Sequence, residues 1–187
     1  MFKREEYGLV LDFLPYGRAD EAKKEQFVQV VGEQFFTLLE VVIKPGMTAD
    51  VGERIYIGKG TRDKVDYIKS RITYAQLTNT AKRELQGMVR RIVAAREAEF
   101  VNFINHAGAI NIRSHTLELL PSIGKKHLQD LLSEREKQPF TSFEDIQKRV
   151  PHLGKIEDLF INRIVEELEG ISKYYLFVKM PSQSEAY

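Results

Sequence analysis

The chain has 187 residues, and its 28 lysines and arginines are balanced by 27 aspartates and glutamates, so the formal net charge is only +1. That balance excludes a uniformly cationic surface, and any contact with nucleic acid must therefore rest on local basic patches. Hydrophobic residues make up 43% of the chain and cysteine is absent, which indicates a globular protein without disulfides or cysteine-ligated metals.

The first 73 residues predict β-structure. Short apolar runs, several of them alternating with polar residues, are separated by glycine and proline turns, as is typical of strands. The five predicted strands cover residues 7–14, 27–31, 35–43, 54–58 and 65–72. Because closing a small sheet into a barrel removes its exposed edges, we predict a small five-stranded barrel.

Basic residues are concentrated at the end of this β region. The candidate nucleic-acid-binding residues here are Arg54, Lys59, Arg62 and Lys64. Tyrosines lie among them, so the segment could offer charge for phosphates and rings for stacking bases. The alternative is that these cations lie on the solvated face of an ordinary strand, and the sequence leaves both interpretations open.

Residues 81–105 predict one long helix. Several N-cap candidates precede it in residues 78–80, and its apolar side chains recur at helical spacing from Leu85 to Ile104. We interpret this apolar stripe as core, and the arginines between its members as a solvated face.

A tight turn between two short helices is predicted at residues 120–128. Pro121 stops the first helix, and Ile123 is expected to fill the gap between the helices. Gly124 is expected to allow a backbone geometry that a Cβ atom would obstruct. The second helix starts at this glycine, because leucines recur behind it at helical spacing.

The start of this second helix is a candidate anion site. The turn is expected to leave the N–H groups of residues 122–126 unpaired, with two lysines beside them. The candidate binding residues are Ser122, Ile123, Gly124, Lys125 and Lys126. A connection that serves only helix packing would show the same pattern, and this remains the competing interpretation.

The same pattern recurs thirty residues after Pro121. Pro151 begins a second segment of the form Pro-x-apolar-Gly-Lys, which adds Gly154 and Lys155 to the candidate residues. Internal repetition is stronger support than one match. Glu157 makes the second segment less suited to phosphate than the first.

The first segment resembles the hairpin of the helix-hairpin-helix nucleic-acid-binding motif, although Ser122 departs from the family's first glycine. The run from residue 110 to residue 150, with its repeat at Pro151, is similar to the tandem version of that domain. The N-terminal strands resemble an OB-type barrel, and an SH3-like or unclassified β domain would produce similar patterns. The whole arrangement resembles an uncharacterised archaeal family regarded as nucleic-acid-binding.

The predicted fold class is therefore α+β with two domains, an OB-like barrel and an all-α tandem helix-hairpin-helix domain joined by a long helix. The predicted boundaries are 1–73 for the barrel, 74–107 for the helix, 108–170 for the hairpins and 171–187 for a C-terminal extension.

The sequence predicts a non-catalytic protein that binds RNA or DNA backbones with little sequence specificity. The alternative is an adaptor that docks a protein in a nucleic-acid-processing complex. A nuclease or glycosylase-like site is disfavoured, because the acidic residues and histidines show no catalytic or metal-ligating spacing. We expect no cofactor and no metal. Because no signal peptide or membrane-spanning run is visible, we expect a cytoplasmic protein without membrane contact.

Overall fold

The computed structural model describes residues 4–179, and its first part is a curled sheet of five antiparallel strands. The strands are β1 (Tyr7–Leu14), β2 (Phe27–Gly32), β3 (Leu38–Ile43), β4 (Arg54–Tyr56) and β5 (Val65–Arg71). The five predicted strands are thus confirmed, with shorter bounds for the third and fourth. Their order across the sheet is β4-β1-β2-β3-β5.

The predicted closed OB-like barrel is wrong. β4 and β5 lie at the two edges of the sheet, and β4 pairs only with β1, through three residue pairs. Gly52, whose φ is +84°, turns the chain before β4, and the chain leaves the ladder after Tyr56. A strand of three residues with one partner offers no second ladder that could close the sheet.

The main core cluster of the sheet is aliphatic. Every residue of β2 and β3 is buried, which places side chains from both faces of these strands inside the protein. The fully buried Gln29 and Glu40 are satisfied by hydrogen bonds: Gln29 Nε2 donates to Glu40 Oε1 over 3.0 Å, and Thr78 N donates to Gln29 Oε1 over 2.8 Å. Polar groups buried in this way fix the chain that leads from the sheet into the first helix.

The second part of the chain contains five α-helices and a short two-stranded sheet. The helices are α1 (Asn79–Ala95), α2 (Glu97–His106), α3 (Lys125–Lys137), α4 (Phe143–Arg149) and α5 (Ile156–Glu169). The short strands are β6 (Ala109–Asn111) and β7 (Ser114–His115), and 3-10 helices cover Tyr74–Gln76, Thr116–Leu119 and Pro151–Leu153. The single long helix predicted for residues 81–105 is interrupted at Arg96, whose φ of −112° and ψ of 25° are not helical.

The predicted all-α tandem helix-hairpin-helix domain is also wrong. The short sheet of β6 and β7 lies within residues 108–170, so this region is not all-α. Thr116–Leu119 is a 3-10 helix of four residues where a short α-helix of one or two turns was expected. Before the second turn, α4 has only seven residues and ends at Arg149. The next residue, Val150, precedes a proline and is therefore biased away from helical geometry.

The described chain divides into two compact units. Unit 1 comprises residues 4–89 and 164–179, and unit 2 comprises Arg90–Arg163. The divisions fall within α1 and α5, and the predicted domain boundaries stay a prediction. Unit 2 has an aromatic core, in which the ring of Phe160 lies 4.8 Å from that of Phe100 and 6.0 Å from that of Phe143.

Part of the predicted C-terminal extension docks within unit 1. The buried carboxylate of Glu167 accepts hydrogen bonds from the backbone N–H groups of Leu176, Phe177 and Val178 over 2.7, 3.0 and 2.8 Å. Three N–H donors satisfy a carboxylate that is only 1% exposed. The remainder of the extension, after residue 179, lies outside the described residues.

Candidate nucleic-acid interface

The first predicted turn is entered through a capped 3-10 helix. The N–H of Leu117 donates to His115 Nδ1 over 3.1 Å, and the N–H of His115 donates to Glu118 Oε2 over 2.7 Å. Burial lowers the pKa of His115, and the nearby Arg135 acts in the same direction. A neutral imidazole suits this position, because only an unprotonated ring nitrogen can accept the hydrogen bond from Leu117.

Backbone strain in this turn lies at the serine and not at the glycine. Ser122 has a φ of +66°, in the left-handed region that favours glycine, whereas Gly124 has a φ of −91°. Nothing lies within 4 Å of the place where a Cβ atom of Gly124 would be. The expectation that a Cβ would obstruct this glycine is therefore wrong, and Ser122 occupies the position that requires positive φ.

The start of α3 is exposed. Ser122, Gly124, Lys125 and Lys126 are exposed, while Ile123 is 6% exposed and anchors the turn, as predicted. Within residues 4–179, the N–H groups of Gly124, Lys125 and Lys126 have no hydrogen-bond acceptor, and neither lysine has an ion-pair partner. Free donors and two cations at a helix start form a place where an anion is stabilised.

The second predicted turn is built on the same plan. Gly154 has a φ of +77° and a ψ of −158°, a conformation open almost only to glycine, and Lys155 is exposed beside it. The N–H groups of Gly154, Lys155 and Ile156 find no acceptor in the described part of the chain. Two acidic residues in the first turn of α5 oppose anion binding here.

One of those two acids is already engaged. Asp158 Oδ1 accepts a hydrogen bond from Arg90 Nη1 over 2.8 Å. The other, Glu157, is half-buried and follows Lys155 closely, so the second turn carries less net positive charge than the first. The first turn is therefore the stronger candidate of the two.

Two of the four basic residues predicted in the β region are paired with carboxylates. Arg54 Nε lies 2.7 Å from Glu33 Oε1, and this partner raises the pKa of the guanidinium. Lys64 Nζ lies 2.5 Å from Glu53 Oε1, and the contact lowers the pKa of that carboxyl. The structure thus does not gather these residues into one free basic face.

The other two predicted residues, Lys59 and Arg62, line a cleft of about 420 Å³ in unit 1. Lys59 is exposed, and Arg62 is half-buried with its Nε donating to the carbonyl oxygen of Gly58 over 2.7 Å. Arg4 lines the same cleft and was not among the residues predicted from the sequence. The short Gly-Lys-Gly run at residues 58–60 was the signal for a loop at this place.

The fold and these turns define an α+β protein in which a curled antiparallel sheet precedes helices that begin at exposed, lysine-bearing turns. The chain belongs to the family described as "Protein of unknown function (DUF655)", whose model matches residues 4–179.

Two relatives show how far the likeness extends. The chain is 47% identical over 180 residues to the uncharacterized protein MJ0038 of Methanocaldococcus jannaschii, covering 95% of this chain and 81% of that protein. The crystal structure of Af1531 from Archaeoglobus fulgidus is similar, with a TM-score of 0.86 and 45% identity, over 94% of this chain and 100% of that one. The predicted resemblance to an uncharacterised archaeal family is confirmed.

Two features are absent from the part of the chain that the structure describes. Within residues 4–179, no helix has both the length and the apolar character needed to cross a membrane. Among those same residues, no group of three or more His, Cys, Asp or Glu side chains is arranged to hold a metal ion.

Proposed function

We propose that the protein binds RNA or DNA through the phosphate backbone, without catalysis and with little sequence specificity. The main contact is the open start of α3, where the N–H groups of residues 124–126 and the ammonium groups of Lys125 and Lys126 bind consecutive phosphates. Backbone contacts of this kind fix position but do not read bases. The turn at Gly154 and Lys155 serves as a second, weaker contact.

One observation supports this proposal above the others. The N–H groups of Gly124, Lys125 and Lys126 have no acceptor in residues 4–179, and they emerge on an exposed surface. A packing connection would be expected to cover these donors or to cap them with a side chain, and α3 has no side-chain cap. Backbone N–H groups and lysines that contact only phosphates do not discriminate RNA from DNA, so both polymers belong to the proposal.

The β region contributes less than the sequence analysis expected. Arg54 and Lys64 are ion-paired, so the proposed contribution from this part of the chain comes from Lys59 and Arg62. The absence of cysteine suits a reducing compartment, and we include the cytoplasm in the proposal on that ground.

A second function, docking of a protein partner, is favoured by one feature of unit 2. Ile112, in the turn between β6 and β7, is fully exposed at 105% relative accessibility, and Ile110 is 37% exposed. These two isoleucines expose apolar surface on one short hairpin, which a contact with another protein would bury. This adaptor function remains the alternative to nucleic-acid binding.

The test compares a charge-reversed turn with a matched control. The double variant Lys125→Glu/Lys126→Glu is titrated with fluorescent single-stranded RNA, single-stranded DNA and duplex DNA at several salt concentrations. The control Lys148→Glu/Lys173→Glu changes the net charge equally at two exposed lysines outside both turns. Circular dichroism verifies that each variant is folded.

We expect the turn variant to lose at least tenfold in affinity and the control to lose much less. The slope of log affinity against log salt should fall by about 1.8 for duplex DNA and about 1.4 for a single strand, because each neutralised phosphate contributes ~0.9 and ~0.7. Equal affinities for the turn variant and the unmodified chain would contradict the proposal. An Ile112→Ser variant that loses a protein partner would then favour the adaptor.

A further inference from the structure

The cleft in unit 1 has the size and lining of a small-ligand site. Its volume is about 420 Å³, within the ~300–1,000 Å³ that is typical of ligand pockets. Three cationic side chains line it, from Arg4, Lys59 and Arg62, and Tyr56 and Ile68 add aromatic and apolar surface. Cations beside an aromatic ring suit a ligand that has both a negative charge and a planar apolar group.

A rigid loop presents two of these cations. Arg62 Nε donates to the carbonyl oxygen of Gly58 over 2.7 Å, and the N–H of Gly60 donates to the hydroxyl of Tyr56 over 2.9 Å. A Cβ atom on Gly58 would lie 2.5 Å from that hydroxyl, so the loop packs against the tyrosine more closely than any other residue would allow. The loop is thus held at both ends before any ligand arrives.

Several donors of this loop remain unused. Within the described residues, the ammonium group of Lys59, the terminal guanidinium nitrogens of Arg62 and the N–H groups of Lys59 and Thr61 have no acceptor. Unpaired backbone donors and two cations on a short glycine-containing loop are what a phosphate group requires.

The cleft also contains two glutamates, Glu5 and Glu6, and their carboxylates oppose the positive charge of the three cationic side chains to different extents. Glu5 already accepts hydrogen bonds from the N–H groups of Gln34, Phe35 and Thr37 over 2.9, 2.9 and 3.1 Å. Glu6 is exposed, and its backbone oxygen accepts the N–H groups that begin the loop. A carboxylate at this position can accept hydrogen bonds from sugar hydroxyls or from base amines.

We propose that this cleft binds one phosphorylated nucleotide, with Lys59, Arg62 and the loop N–H groups on the phosphate and with Tyr56 and Ile68 against the base. The ligand is either a free nucleotide or the 5′-phosphorylated end of a strand, which offer the same chemistry. This proposal deepens the proposed function, because it names a ligand for Lys59 and Arg62 of the β region. The choice of a nucleotide as that ligand rests on the proposed function.

The test is a calorimetric titration of the whole protein with AMP, with adenosine, and with a short oligonucleotide carrying either a 5′-phosphate or a 5′-hydroxyl. The variants are Lys59→Glu and the milder Lys59→Ala; the side chain of Lys59 is exposed and without a partner among the described residues, so both are expected to fold. Lys23→Glu, at an exposed lysine of unit 1 outside the cleft, is the matched control.

We expect AMP or the 5′-phosphorylated strand to bind the unmodified chain. The affinity for AMP should be at least tenfold lower in Lys59→Glu and unchanged in Lys23→Glu. Binding of AMP assigns the site to free nucleotides, and binding of the phosphorylated strand alone assigns it to strand ends. Adenosine binding as tightly as AMP would overturn the proposal. So would an affinity for AMP that does not change in Lys59→Glu, or a 5′-hydroxyl strand that binds Lys125→Glu/Lys126→Glu as tightly as its phosphorylated counterpart does.

The same titrations separate this proposal from the function proposed for the turns. Lys125→Glu/Lys126→Glu should leave the affinity for AMP unchanged, because those lysines do not line the cleft. If that variant also leaves the affinity for oligonucleotides unchanged, the proposed function fails. The cleft proposal is then still tested separately, by the affinity for AMP and by the Lys59 variants.

Discussion

Arg163 Nη1 donates a hydrogen bond to the carbonyl oxygen of Leu119 over 3.0 Å, and the side chain of Arg163 is only 7% exposed. Arg163 lies on α5, which follows the second turn, and Leu119 ends the 3-10 helix that precedes the first. One buried contact therefore joins the segments that carry the two candidate phosphate sites of unit 2.

Replacing this arginine tests how much the contact stabilises unit 2. Arg163→Met keeps an unbranched apolar stem but leaves the carbonyl oxygen of Leu119 without this donor, and we expect the free energy of unfolding to fall by about 1–3 kcal/mol. Urea denaturation followed by circular dichroism measures the change. The exposed Arg113 supplies a control, Arg113→Met, which should be near neutral. Equal losses in the two variants would contradict a special role for Arg163.

The positive φ of Ser122 predicts that glycine is preferred at this position. A left-handed residue other than glycine costs about 1–2 kcal/mol, and glycine costs about 0.5–1 kcal/mol in unfolded-chain entropy, so Ser122→Gly should stabilise the protein by about 0.5–1 kcal/mol. The matched control is Ser133→Gly within α3, which should be destabilising by about 0.5 kcal/mol. Destabilisation by both substitutions would show that Ser122 is not strained.

The two turn glycines should respond differently to alanine. Gly154→Ala forces a side chain into a backbone conformation at φ +77° and ψ −158°, and we expect a loss of about 1–3 kcal/mol. Gly124→Ala meets open space at an ordinary φ of −91° and should cost less than about 1 kcal/mol. Thermal unfolding of both variants measures the difference, and a larger loss at Gly124 would contradict the described geometry.

Glu5 predicts a specific dependence of stability on pH. Burial raises the pKa of Glu5 above its ordinary 4.5, although the N–H groups of Thr37, Gln34 and Phe35 oppose the shift. A raised folded-state pKa means that the folded protein binds this proton more tightly than the unfolded chain does. The stability that this group contributes is therefore present below its unfolded pKa and is lost as pH rises through the folded value.

The measurement compares the unmodified chain with Glu5→Gln, which cannot ionise. We expect the free energy of unfolding of the unmodified chain to exceed that of Glu5→Gln by the largest amount at about pH 4. This excess should shrink as pH rises to about 7. The exposed neighbour gives the control Glu6→Gln, whose side chain receives none of those three N–H bonds. A difference that grows with pH would contradict a pKa raised by burial.

Local sequence patterns predicted the strands and the turns well, because both depend on neighbouring residues. Alternating apolar runs bounded by glycine and proline identified all five strands of the sheet. Pro121 lies where a helix was expected to stop, and α3 and α5 begin shortly after the two predicted turns. The left-handed conformation of Ser122 could not be predicted from the sequence, because the backbone of the turn imposes it on a residue type that does not favour it.

The resemblances to an OB-type barrel and to a tandem helix-hairpin-helix domain failed where the fold depends on residues that are distant in sequence. Closure of a barrel needs a ladder between β4 and β5, and no local pattern reports that β4 is too short to form one. The turn motif at residues 120–126 carries no information about the residues before it, where β7 and a 3-10 helix replace the expected helix. The ion pair of Arg54 with Glu33 likewise joins residues that are far apart in sequence.

The most direct test of the proposed contact follows individual backbone amides. Nitrogen-15 NMR spectra of the protein, titrated with a short single-stranded RNA or DNA, report the environment of each N–H group. We predict that the signals of Gly124, Lys125 and Lys126 shift early and together, and that added salt reverses the shifts. If nucleic acid binds while these three signals stay in place, the start of α3 is not the binding site and the central claim is wrong.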